Sequence, residues 1–250
     1  MKTEETNPVY IIGDIHGQFA RLKNLVFQNN IKDCTLICVG DFGIGFKRKY
    51  GANVDDCIVL NTFFAKRNIV FMTIRGNHDD PIFFNDAEKR INLSHVKLLP
   101  DYYSETINGE KFLFVGGAVS IDRRLRENNV SYWSNEAFVL DTNRVTACDV
   151  LITHSAPSWV GPYDKSAIAS WTQKDASLWE ECMQERQDHN ALISLCKPRK
   201  SYHGHFHCNG MAHADGCLAT ILNIEEIKEH RSDAAEKNSA ERLFNRFAPF

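Results

Sequence analysis

Three short apolar runs in the first third of the chain each stop on glycine beside aspartate, asparagine or histidine. Val9 to Ile12 is followed by Gly13-Asp14-Ile15-His16-Gly17, Thr35 to Val39 by Gly40-Asp41-Phe42-Gly43, and Ile69 to Ile74 by Arg75-Gly76-Asn77-His78-Asp79. Runs of this length, rich in β-branched residues and bounded by turn formers, read as strands. Between them, Phe19 to Gln28 has the apolar spacing of an amphipathic helix, and Val54 to Lys66 is also of helical length. Parallel neighbours need such a crossover, so the order strand, helix, strand, helix, strand predicts a parallel α/β sheet. In such a sheet the carboxyl ends of the strands share one edge. The regular punctuation therefore predicts that Asp14, His16, Asp41, Asn77 and His78 gather there.

After Pro81 the strands come closer together, at Val96 to Leu98, Tyr102 to Ile107 and Lys111 to Val115, with Asn108-Gly109 as a hairpin turn between the last two. Val150 to Thr153, Ser201 to His203 and Cys217 to Ile224 supply further strands, and Lys174 to Leu195 reads as a helix with one solvated, charge-alternating face. Two of these later strands also end in histidine: His154 follows the first, and Gly204-His205-Phe206-His207 follows the second. A lone Asp-Gly or Asn-His pair is ordinary turn chemistry. Five strand ends of this kind in a chain of 250 residues point instead to a set of ligands. From Glu225 the composition shifts to Glu, Lys, Ala and Asn, which predicts a C-terminal helical tail docking Leu243, Phe244 and Phe247 on the main domain. The expected division is a catalytic domain over 1–224 and a tail over 225–250, with no repeat or linker that supports a second domain.

With 43% hydrophobic and 24% charged residues the chain can bury one sizeable core. A net charge of −3 supplies no positive field, so tight non-specific binding to a nucleic-acid backbone is not favoured. The N-terminus is acidic with only a short apolar run, unlike a secretory signal, and no run approaches the roughly 18 apolar residues of a membrane span. The expectation is a soluble, cytoplasmic protein with no membrane partner. Eight cysteines are scattered without a C-x-x-C repeat and read as buried small hydrophobes, Cys34 and Cys38 sharing one face of a strand.

The succession D-x-H, G-D, G-N-H-[DE], a lone His and G-H-x-H, running from Asp14 to His207, resembles the calcineurin-like metallophosphoesterase superfamily. The resemblance implies a four-layer α/β/β/α sandwich with two divalent metal ions at the strand ends. Asp14, His16 and His207 would hold one ion, Asn77, His154 and His205 the other, and Asp41 would bridge both; His78 would be a catalytic residue that is not a ligand. Carboxylate, amide and imidazole donors without thiolate suit Mn, Fe, Zn or Ni. Paired cations about 3.5–4 Å apart can stabilise phosphoryl oxygens and an attacking, metal-bridging hydroxide in line with the leaving group. His78 as an imidazolium would then protonate the departing oxygen.

Departures from the family pattern narrow the branch. Protein serine/threonine phosphatases continue the second motif as G-D-x-x-D-R-G, whereas this chain reads Gly40-Asp41-Phe42-Gly43-Ile44-Gly45-Phe46. Without that Asp and Arg, Asp79 or Asp80 is expected to orient His78, and Arg123 or Arg124, in the loop after Phe112 to Val115, is expected to grip phosphate. Lys47-Arg48-Lys49 reads as a solvated loop, and Tyr132, Trp133 and Phe138 as core rather than a base-stacking mouth. His95, His189, His203, His213 and His230 are assigned no metal; His203 is placed to orient a ligand through its second ring nitrogen. The function expected is a dinuclear metal-dependent phosphoesterase, a phosphatase or phosphodiesterase acting on mono- or diesters that are small or nucleotide-like. The alternatives are a nuclease or nucleic-acid end-processing enzyme, a serine/threonine protein phosphatase and an inactive metal-binding scaffold. Oligomeric state is left open.

Overall fold

The computed structural model describes residues 7–47, 51–162 and 165–232. Its first half alternates β1 (Val9–Ile12), α1 (Phe19–Gln28), β2 (Cys34–Cys38), α2 (Val54–Ala65), β3 (Ile69–Thr73), the single turn α3 (Ile82–Asn85) and β4 (Val96–Leu98). The second half carries β5 (Tyr103–Ile107), β6 (Glu110–Val115), β7 (Val150–Thr153), the short α4 (Ala169–Thr172), α5 (Leu178–Cys196), β8 (Lys200–His203), β9 (Gly210–Ala214), β10 (Cys217–Ile221) and β11 (Ile227–His230). One sheet has the order β11-β1-β2-β3-β4 and the other β5-β6-β7-β8-β10-β9. Strands β1 to β4 run parallel, as do β6, β7, β8 and β10, while β5, β9 and β11 are antiparallel edges.

Three apolar seams make four layers. Cys34, Leu36 and Cys38 of β2 pack with Leu22 and Val26 of α1 and Leu60 and Phe64 of α2. Ile37, on the opposite face of β2, meets Phe112 and Phe114 of β6 and Ile152 of β7 between the sheets. Leu113 and Val115, on the other face of β6, pack with Leu192, Ile193 and Cys196 of α5. The two-residue period of each strand thus feeds two seams, as an α/β/β/α sandwich requires. Helix α2 starts on a capping box in which Asn53 Oδ1 accepts from Asp56 N and Asp56 Oδ2 accepts from Asn53 N. All eight cysteines are unpaired, and six are buried. No helix among the described residues is long and apolar enough to cross a membrane.

Three elements differ from the sequence reading. Residues Ile227–His230, expected to open a helical tail, form β11 against β1. The alternation of Ile227 with charged neighbours suits an edge strand, and the backbone donors and acceptors of β1 supply its partners; residues 233–250 of the expected tail lie outside the described residues. Strand β9 was not expected; it joins β10 through Asp215-Gly216, both at positive φ as a tight hairpin demands. Helix α5 begins at Leu178 rather than Lys174.

Candidate functional site

The five strand-end motifs converge where the carboxyl ends of the two sheets meet. His16 Nε2 lies 3.0 Å from His207 Nε2, and His207 Nε2 lies 3.4 Å from Asp14 Oδ2. Asp41 presents one carboxylate oxygen to each of two groups: Oδ2 is 3.7 Å from His16 Nδ1, and Oδ1 is 3.2 Å from His154 Nε2. Asn77 Oδ1 stands 3.2 Å from His154 Nε2 and 3.0 Å from His205 Nδ1. Asn77 Nδ2 donates to Ser120 Oγ, which turns the amide oxygen toward the histidines. His154 Nδ1 donates to Val39 O at 2.9 Å, which turns Nε2 toward the cluster. The structure therefore brings Asp14, His16, Asp41, Asn77, His154, His205 and His207 together.

The backbone is strained to achieve this. His16, Asp41, His205 and His207 all have positive φ, between 48° and 69°. Hydrogen bonds hold them there: Ile15 N and His16 N both donate to Asp41 O, at 3.1 and 2.7 Å, and His205 N donates to both carboxylate oxygens of Asp14. Close approach excludes side chains at two neighbours. A Cβ on Gly40, itself at φ +111°, would sit 2.4 Å from His154 Nδ1, and one on Gly204 would sit 2.1 Å from Asp14 Oδ1.

Buried charges couple across the cluster. Burial opposes ionisation of Asp41, but His154, His78 and His16 outweigh it and hold the carboxyl well below the usual range. Burial likewise opposes charge on His154, yet Asp41, by charge and hydrogen bond, raises it to about 10. Burial, with the charge of His154, pushes His205 well below its ordinary value. A buried, anionic Asp41 among imidazoles is a donor set for a cation, and Asp14, His16, Asp41 and His207 each offer an atom within 4.8 Å of the others. These oxygen and nitrogen donors fit a divalent metal ion.

His78 stands beside this set, its ring stacked on Phe46 with centroids 4.6 Å apart. Its Nε2 accepts from Arg126 Nη2 at 2.6 Å, and Arg126 Nη1 donates to Asn77 O at 2.8 Å. A guanidinium has no lone pair to offer, so Nε2 is unprotonated and the imidazole is neutral. Burial, against the pull of Asp41 and with the push of Arg126, lowers His78 to about 3. The imidazolium expected from the sequence is not the form found here.

Three further expectations need correction. Arg123 is committed to Asp175 at 2.6 Å and to Glu181, and Arg124, mostly exposed, also pairs with Asp175; neither is at the cluster. Arg126 is the arginine that reaches it, with its side chain 2% exposed and Nε 2.6 Å from Asp122. Three arginines within four positions are alike in sequence, and acidic partners on and before α5 select among them. Asp79 does not orient the His78 ring. Its carboxylate accepts from the backbone N–H groups of Phe42, Gly43, Ile44 and Gly76, tying the second motif to the third. Asp80 instead accepts from Ile82 N at the start of α3. His203 is buried among Thr153, Ser155 and Ser201, so it braces the residues flanking His154 rather than a ligand ring. Trp133 and Phe138 are buried, as expected of core; Arg48 and Lys49 lie outside the described residues.

A cavity of about 470 Å³ opens beside the cluster and shares Asp41, Asn77, His78 and Arg126 with it.

The family model for calcineurin-like phosphoesterases matches residues 7–209. No curated protein sequence is found similar to the chain. Among solved structures, the chain is similar to the phosphopantetheinyl hydrolase PptH of Mycobacterium tuberculosis, with TM-score 0.45 and 13% identity over 99% of this chain and 95% of that one. It is also similar to GAP50, the anchor in the inner membrane complex of Plasmodium, with TM-score 0.40 and 11% identity over 87% of this chain and 71% of that one. A third likeness is to Vacuolar Protein Sorting 29 of Cryptosporidium parvum, with TM-score 0.31 and 14% identity over 87% and 74%.

Proposed function

The chain belongs to the calcineurin-like phosphoesterase family, and on that premise we propose that it hydrolyses phosphate mono- or diesters with two divalent metal ions. The observation that carries this reading is Asp41, whose two oxygens face two separate ligand groups. Asp14, His16 and His207 with Asp41 would hold one ion; Asn77, His154 and His205 with Asp41 would hold the other. Mn, Fe, Zn and Ni all suit these donors. When bound, such ions supply positive charge to phosphoryl oxygens and lower the pKa of water.

The chain's own residues do the rest. Arg126, held by Asp122 and by Asn77 O, presents a fork of N–H donors at the cluster and takes a phosphoryl oxygen in place of the His78 ring. His78 is thereby released at Nε2. Nε2, once free of Arg126, takes up a proton from the medium and passes it to the departing alcohol oxygen, while the stack on Phe46 keeps the ring in place. Asp79 keeps the Asp41 and Asn77 turns in register.

The test is hydrolysis of p-nitrophenyl phosphate, bis-p-nitrophenyl phosphate and a single-stranded oligonucleotide after loading with Mn or Ni. Asp41→Ala is expected to drop to background, and Arg126→Ala to lose on the order of a hundredfold in kcat. Turnover insensitive to Asp41→Ala would overturn the proposal. Preference for the monoester, the diester or the oligonucleotide assigns phosphatase, phosphodiesterase or nuclease activity.

A further inference from the structure

The cavity beside the cluster is unlike its polar edge. Away from Asp41, Asn77 and His78 its wall is mostly apolar, with Ile121, Ile168, Trp171, Trp179, Met183 and Phe206, and the carboxylates it carries, Asp122 and Glu185, are turned to Arg126 Nε and to Val119 N. Trp179, Cys182, Met183 and Arg186 all line it, at spacings of three, four and seven residues that place them on one face of α5. Both indoles remain partly exposed, although such large apolar groups are normally drawn into a core. Two ammonium groups lie over these rings, Lys165 Nζ 5.5 Å from the Trp179 centroid and Lys174 Nζ 5.9 Å from the Trp171 centroid, while the two arginines along the wall are engaged by the protein. Arg186 donates to the carbonyls of Pro157, Val160 and Pro162 and lies 4.8 Å from the Phe206 ring centroid, so it fixes the wall. Arg126 faces the cluster.

A ligand in this cavity can therefore place negative charge at the cluster and apolar surface against the indoles. A volume of about 470 Å³ suits a small organic molecule. Because the cavity is continuous with the residues that would receive the phosphoryl group, its occupant is the part of the ester bonded to that group. Resting on the phosphoesterase reading, we infer that the cavity binds the alcohol portion of the substrate, and that this portion is an aromatic ring system. Burying about 100 Å² of ring favours the aryl ester by about fiftyfold. Stacking or edge contact with the indoles adds about twofold to tenfold over an aliphatic ring of similar area.

The test uses phosphate esters of ethanol, 2-cyclohexylethanol and 2-(2-naphthyl)ethanol, each as monoester and methyl diester. All are primary alcohols, so leaving-group chemistry is matched. On the Mn-loaded full chain, kcat/KM is expected to rise in that order, with the naphthyl ester ahead of the ethyl by about fiftyfold or more. Trp171→Ala and Trp179→Ala should each cut the naphthyl-to-ethyl ratio by about tenfold, whereas Gln184→Ala, on the exposed face of α5, should keep it. Equal rates for the three esters, or equal rates for cyclohexyl and naphthyl, would overturn the inference while leaving the phosphoesterase reading intact. Calorimetric Kd values for the three matching phosphonates, which are not hydrolysed, separate the two ideas further. Naphthyl preference in binding with no turnover of any ester would support the cavity and remove the esterase; no turnover and no preference would overturn both.

Discussion

His16, Asp41, His205 and His207 occupy left-handed backbone, where a side chain costs about 1 kcal/mol or more relative to glycine. Placing four such residues in one cluster trades stability for aim, and the trade is measurable at His207, whose side chain is 45% exposed. Both His207→Gly and His207→Ala remove the donor, but only glycine relieves the backbone. In chelator, the glycine variant should therefore melt about 2–4 °C above the alanine variant; coincident melting curves would refute strain at this position. Asp79 makes a second residue-level case. Its buried carboxylate accepts four backbone N–H groups, and burial with the nearby Asp41 charge raises it to about 7 against those hydrogen bonds. Asp79→Asn turns an amide N–H toward donors and should cost about 1–3 kcal/mol while weakening metal binding, although no ligand is removed. Unaltered metal affinity by calorimetry would show that the two turns hold their register without it. The clustered positions were readable because each lies in the turn directly after a strand. The role of Asp79 was not, since its partners at residues 42–44 lie on another strand's turn.

At the scale of elements, the apolar period located β1, α1, β4 and β7 to the residue. It missed β9 and β11, whose half-exposed, polar sequences carry little hydrophobic signal and owe their form to the strands they pair with. Helix α5 shows the same limit in its buried face, which includes the polar residues Glu185, Arg186 and His189. His189 lies against Phe138, donates from Nδ1 to Glu185 O, and is pushed down to about 4, chiefly by burial. An unfolded histidine takes up its proton near pH 6.5. The stability from holding His189 neutral is thus complete above about pH 6.5 and is lost as pH falls toward about 4. Glu185, raised to about 7 by burial, acts in the opposite sense, losing its stabilising share as pH rises from about 4.5 to 7. The histidine share is isolated by comparison with His189→Leu. Between pH 7 and 4.5 the unfolding free energy of the wild type should fall by about 2–3 kcal/mol relative to that variant. A constant difference across urea titrations at those pH values would contradict the assignment.

The whole molecule assembles its cluster from two sheets. Asp14, His16, Asp41 and Asn77 follow strands of the first, and His154, His205 and His207 follow strands of the second. Metal ions held across that seam would bind only the folded pairing, so saturating metal should raise the melting temperature. At a hundredfold excess over Kd the gain is about 2.7 kcal/mol, or roughly 5–10 °C for a chain of this size. Chelation should reverse the shift, and Asp41→Ala should lose most of it; an equal shift in that variant would place the ions elsewhere. The parallel sheet was legible, because near-continuous apolar runs such as Ile69–Thr73 demand cover on both faces, whereas the four layers were expected from the family resemblance. The sequence by itself determined the parallel sheet and the residues that gather at its edge, since strand period, glycine turns and the residue directly after a strand are local properties of the chain. Only the tertiary structure decided that Arg126 rather than Arg123 or Arg124 meets His78, that His78 is neutral, and that Trp171 and Trp179 line a cavity beside the cluster. Those outcomes depend on charges and walls brought from distant segments, and no local pattern encodes which of several similar side chains will find its partner first.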